Sequence, residues 1–237
     1  MEQAITVKGI GKISSRPDRI VLSMQVRAES PGYEATLDLA AMQQESLRKA
    51  AADCGMDKND LKTEHFGIHT RYDLVGDGNG RDTSVFTGYE CSQVMTLQFP
   101  MDMKLLADLL AALSVSEAKP VYRIRFTVSD SDKIKADLLR DAAQTARAQA
   151  AILAEALHVT LGEILSVEYS RGEINLYSRT EPEWGFADRQ CASASHFVDI
   201  EPEDIQASDT VTFVWGIRQG TNDPEPQELI LQRKSLR

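Results

Sequence analysis

No uninterrupted apolar run in the 237 residues approaches the roughly 20 that a membrane helix needs, which excludes a helical membrane span. A basic surplus is missing too. The 26 Lys and Arg stand against 36 Asp and Glu, a formal charge of −10, which repels phosphate backbones and anionic lipids and argues against nucleic-acid and membrane partners. Arg123 and Arg125 alternate on one face of an expected strand, and two such arginines read as a solvated or salt-bridged face before they read as an anion site. Cys54, Cys91 and Cys191 are odd in number and far apart, which is neither a disulfide framework nor a C-x-x-C pair. The N-terminal stretch lacks the basic, apolar and small-residue regions of a secretory signal, and there is no N-x-S/T acceptor. The expected location is the cytoplasm, with the periplasm or an exported location as the alternative for a chain whose signal has been removed.

Chemical signatures are equally scarce. Gly9-Ile10-Gly11-Lys12 fails as a phosphate loop because Thr6 stands where a glycine belongs and Ile13 where Ser or Thr belongs. It fails as a dinucleotide fingerprint because Ser14 replaces the third glycine and a strand pattern follows. Asp77-Gly78-Asn79-Gly80 begins like a calcium loop, yet Arg81 and Gly88 occupy ligand positions, so a turn is expected there. His65 and His69 lie on an expected strand, where four residues span about 13 Å, too far for one metal at about 2 Å per bond. His158 falls at a helix C-terminus and His196 in an irregular segment. Cys54 and Cys91 sit on apolar sides of their elements and read as inert, which leaves Cys191, near His196, as the exposed thiol. There is no G-x-S-x-G elbow, and 36 carboxylates make chance acid/base pairs certain.

What the chain does have is period-two alternation. Ile5, Val7, Gly9, Gly11 and Ile13 share one face, and Ile20, Leu22, Met24, Val26 and Ala28 another, with a tight turn at Arg16-Pro17-Asp18. The two glycines on an inward face predict close approach of a helix or a neighbouring backbone. Ser30-Pro31 is a cap and first residue for a helix to Cys54, burying Leu39, Met42, Leu47, Ala50 and Ala51 and stopped by Gly55. Residues 61–72 form a strand with Phe66, Ile68 and Tyr72 inward, and residues 89–99 another with Tyr89, Cys91, Met95, Leu97 and Phe99 inward. A short helix carries Leu105, Leu106, Leu109, Leu110 and Leu113, and a fifth strand carries Tyr122, Ile124, Phe126 and Val128. A helix over 131–157 presents Ile134, Leu138, Ala142, Thr145, Ala148, Ile152 and Ala156 as its stripe. Strands at 161–169 and 210–217 close the pattern, separated by a stretch over 170–208 that lacks periodicity. A segment of that length is functional, an assembly contact or disordered.

In order and spacing, Val7-x-Gly9-x-Gly11, Pro17-Asp18, Thr63-x-x-Phe66, Tyr72, Gly88-Tyr89, the row Ala142, Ala146, Ala150, Ala154, and Leu161-Gly162 resemble the SIMPL-domain family. That family is named for a signalling molecule that associates with pelle-like kinase, and it includes bacterial periplasmic immunogenic and oxidative-stress-defence-like proteins. The resemblance covers roughly residues 4–218 and implies an α+β fold, self-assembly, a link to stress response and no catalytic residues to carry over. The absent signal segment departs from the exported members.

The expected fold is therefore α+β, an antiparallel or mixed β-sheet covered by three helices mainly on one face. It forms a single domain over 4–218, with an irregular insertion at 170–208 and a polar tail at 219–237. No catalytic, cofactor-binding or metal-ligating residue is nominated, and no cofactor is expected. The function expected is that of a non-enzymatic, self-assembling binding or scaffold protein, a homo-oligomer with room for a protein partner. Two other readings stay open: a thiol-based redox sensor or enzyme using Cys191, and a small-molecule binder with a cleft between the sheet and the 170–208 segment.

Overall fold

The computed structural model describes residues 3–76, 82–170, 172–181 and 200–219. Strands β1 (Ala4–Ser15) and β2 (Arg19–Ser30) are followed by helix α1 (Tyr33–Asp53), strands β3 (Lys62–Gly76) and β4 (Asp82–Pro100), and helix α2 (Met103–Ser114). Strand β5 (Val121–Thr127), helix α3 (Ser131–Ala156), β6 (Val159–Glu168) and β7 (Ile205–Gln219) complete the order. The class is α+β. Instead of one sheet there are two, ordered β1-β7-β6 and β3-β4-β2-β5. The tight link at residues 16–18 thus joins strands of different sheets. Alternation reports which face of a strand is buried and is silent on which strand lies beside it.

The chain divides into two compact units, one of residues 1–13, 130–175 and 206–237, the other of 14–129 and 176–205. In the second unit β2 pairs antiparallel with both β4 and β5, and β3 pairs antiparallel with β4. The run β2-α1-β3-β4-α2-β5 in this strand order is the ferredoxin-like arrangement, a scaffold that hosts many unrelated functions. Its core joins Ile20, Leu22 and Met24 of β2, Leu97 and Phe99 of β4, and Ile124 and Phe126 of β5 to Leu47 of α1 and Leu106, Leu109 and Leu113 of α2. Helix α2 starts at Met103, where Asp102 caps it by accepting a hydrogen bond from the Leu105 amide at 2.9 Å. Helix α1 starts two residues later than expected, with Gly32 as its N-cap. It ends as expected at Gly55, whose φ of +86° favours glycine. Met42, assigned to its buried side, is 63% exposed, and Leu39 is exposed too. Thr36 and Ala40 are buried instead.

In the first unit, α3 packs on the three-stranded sheet through Ala142, Ala146, Ala150 and Ala154, which meet Ile5 and Val7 of β1 and Val211, Phe213 and Trp215 of β7. A Cβ on Gly9 or Gly11 would collide with the carbonyl oxygens of Ala142 and Leu138 respectively. This is the close helix approach that the two inward glycines predict. The buried row of α3 steps by four throughout, from Ile134 through Leu138 to Ala154, so it departs from the expected stripe after Ala142. Ile152, expected inside, is 65% exposed. A row of fours is a single packing ridge slanting across the helix, and the small alanines let backbones come close along it.

Part of the 170–208 stretch is tied down in the second unit. Tyr177 forms an isolated bridge to Thr127, and the Ser178 amide donates to the Phe126 carbonyl at 2.8 Å. The Ser178 hydroxyl donates to the Glu203 carbonyl at 2.7 Å. Residues 205–208, assigned to the irregular stretch, open strand β7. Residues 182–199, including Cys191 and His196, residues 77–81, where a turn is expected, and those from 220 onward lie outside the described residues.

Candidate functional site

Strands β3 and β4 run past the expected 61–72 and 89–99 limits, pairing on to Gly76 opposite Asp82 after a register shift between Arg71 and Tyr72. The extension forms a two-stranded arm. Tyr72 stands opposite Phe86 with ring centroids 5.7 Å apart, Phe86 meets Tyr89 at 5.4 Å, and Tyr89 meets Tyr33 of α1 at 5.4 Å, all edge-on. Such pairs add about 0.5–1.5 kcal/mol each beyond their area when buried. Here most of that ladder faces water. Tyr72 and Phe66, expected inward, are 58% and 55% exposed, and Leu74 is 72% exposed. Val75 and Val85 are exposed as well. Gly88 makes the bend, with φ of +140° and Ser30 and Pro31 where a side chain would stand. At its base Arg71 pairs with Glu29 and lies 3.8 Å from Asp73.

β3 is also the terminal strand of its sheet, so one row of its backbone donors and acceptors has no ladder partner among the described residues. Ile68 packs with Ala40 of α1 and with Ala28 and Cys91, which places His65, Gly67 and His69 on the face away from that helix. The imidazoles lean along the strand toward Gly67. Each Nε2 lies 3.2 Å from where a Gly67 Cβ would stand. The residue spacing is as long as a strand dictates, but the ring nitrogens converge over the one position that has no side chain, an arrangement that spacing alone does not reveal. In register, Gly67 faces Ser92 and His69 faces Glu90 on β4.

The other sequence candidates scatter. Arg125 stacks on the Tyr177 ring, its guanidinium carbon 4.4 Å from the centroid, while Arg123 is exposed on the same strand. His158 follows α3 with φ of +53°, and its amide donates to the Glu155 carbonyl. Cys54 and Cys91 are free thiols. Burial pushes the Cys54 thiol up, helped by Asp108 and Asp53. Burial also pushes Cys91 up, against a lowering hydrogen bond with Gln93. A raised thiol is a poor nucleophile.

Two shallow grooves open on the first unit. One of about 480 Å³ is bordered by Gln3, Glu163, Leu165 and Arg218, and one of about 720 Å³ by Glu168, Tyr169, Ser208 and Asp209. Neither lining includes a histidine or cysteine. In the second groove the Tyr169 hydroxyl already donates to Asp209 at 3.0 Å. No group of three or more potential metal ligands occurs among the described residues, and none of their helices is long and apolar enough to cross a membrane.

Most landmarks of the resemblance have a definite place in the fold. Gly9 and Gly11 seat α3, Gly88 bends the arm, Tyr72 and Tyr89 build the ladder, and the alanine row lies under β1 and β7. A comparison with curated proteins finds no match. The family described as SIMPL, proteins of unknown function (DUF541), matches residues 5–215, and the chain belongs to it.

Proposed function

We propose that this protein is a non-catalytic binding and scaffold module that assembles with copies of itself through the β3–β4 arm. The supporting observation is the exposure of Tyr72, Leu74 and Val75 on β3 and of Val85 and Phe86 on β4, in an arm whose β3 strand has an open edge. Exposed apolar side chains grouped on both faces of one arm mark an interaction site, and aromatic side chains dominate such contacts. A second copy fits because an open edge is self-complementary. Two β3 strands related by a two-fold axis pair antiparallel, each supplying the backbone groups the other lacks.

The test is sedimentation analysis of the full chain and of Leu74→Asp/Phe86→Asp, with circular dichroism confirming an unchanged fold. The expected result is an oligomer that the double variant reduces to monomer. A wild-type chain that sediments as a monomer, or a double variant that keeps the wild-type mass, overturns the reading.

A further inference from the structure

We infer that the His65–Gly67–His69 face is half of a transition-metal site that a second copy completes. The inference rests on the self-assembly reading above and adds a ligand to it. Both Nε2 atoms lie 3.2 Å from the missing Cβ of Gly67, so they are at most about 6.4 Å apart. Zinc binds imidazole nitrogen at about 2.0–2.1 Å and takes four ligands in a closed site. One chain's pair supplies too few ligands to enclose an ion.

The open edge of β3 supplies the rest. An antiparallel pairing of two β3 strands centred on Gly67 sets His65 opposite the partner's His69, and His69 opposite the partner's His65. Directly opposed residues bring their Cβ atoms to about 4.5–5.5 Å. All four imidazoles then share one face, grouped around two glycines that leave the centre clear. His residues are exposed at both positions, so the rings can turn a short way onto an ion without breaking packing. Glu90, opposite His69 on β4, is placed to accept a hydrogen bond from a ligating ring, the usual support for such ligands. The ligand class is a borderline divalent ion that favours nitrogen, with zinc as the representative.

The experiment uses the full chain with its thiols reduced, zinc chloride alone as probe, titration calorimetry for stoichiometry and sedimentation for mass. One zinc per two chains is expected, with a zinc-dependent gain in mass that EDTA reverses. His65→Ala/His69→Ala should weaken binding by more than about 100-fold, beyond the loss of an outer-shell partner. Gly67→Ala keeps all ligands but puts a methyl between the rings, and should weaken binding while leaving the metal-free fold intact. Zinc binding that survives the double histidine variant, or one ion per chain with no change in mass, overturns the inference.

The two readings fail separately. Metal-free protein that assembles through the arm but does not respond to zinc removes only the metal site. Zinc-driven pairing that Leu74→Asp/Phe86→Asp leaves untouched, in a chain monomeric in EDTA, removes only the arm. A chain monomeric under both conditions removes both.

Discussion

The Asp18 carboxylate accepts hydrogen bonds from both the backbone amide and the hydroxyl of Ser129, 111 residues away, each at 2.6 Å. Its own amide donates to the Thr127 carbonyl at 3.0 Å, and its carbonyl accepts from the Met101 amide at 2.9 Å. One residue in the short link before β2 thus fastens the ends of β4 and β5. Asp18→Ala should cost about 1–2 kcal/mol, the low end for bonds to a charged group because the carboxylate is solvent-exposed. Urea unfolding measures it, and Asp18→Asn, which keeps an acceptor oxygen, should recover part of the loss. An unchanged midpoint for Asp18→Ala would show that the backbone bonds alone suffice.

Gly9→Ala and Gly11→Ala each force a methyl onto a helix carbonyl oxygen. The helix must retreat from β1, and overpacking of this kind costs about 1–3 kcal/mol. Thermal unfolding should register a lowered Tm for both, whereas Gly172→Ala, where a Cβ meets nothing within 4 Å, serves as the neutral control.

The choice between the two possible stripes of α3 is open to direct trial. Ala146→Leu inserts bulk into a fully buried row and should destabilise by about 1–3 kcal/mol. Ile152→Gln sits on the exposed side and should change stability by no more than about 0.5 kcal/mol. The reverse ranking in denaturant melts would restore the alternating stripe.

Cys54 and Cys91 ionise later in the folded chain than in the unfolded one, since burial raises both above the ordinary thiol value of 9.0. Their contribution to stability is intact below 9.0 and is lost as pH rises through the raised folded values. Unfolding free energy should therefore decline on the alkaline side, with a shallower slope in Cys91→Ala. Peptide-level mass spectrometry after brief alkylation at neutral pH should find both thiols unmodified until denaturant is added. Rapid labelling of either in the native chain would contradict the burial argument.

Alternation in the sequence was enough to reveal most strands, and Gly55 located the end of helix α1, because these are local properties of a pleat or a helical turn. The inward glycines of β1 announced a close neighbour for the same reason. The partition into two sheets was not legible, since the period of a strand says nothing about its partner. Nor was the exposure of Phe66 and Tyr72: they alternate like core residues, yet of this strand it is Ile68 that packs against Ala40 of helix α1.

The helix α3 shows the division most sharply. Its sequence offers two apolar stripes, and the contacts with β1 and β7 select the alanine row: the glycines of β1 leave room for Leu138, Ala142 and Ala146 to come close, and the rest of the row packs on β7, while Ile152 stays exposed. In the same way the amino-acid order placed His65 and His69 a strand's length apart. The side-chain directions over Gly67 brought their nitrogens together. Local chemistry determined the elements and their buried faces, while pairing, coverage and convergence were decided by contacts between residues far apart in the chain.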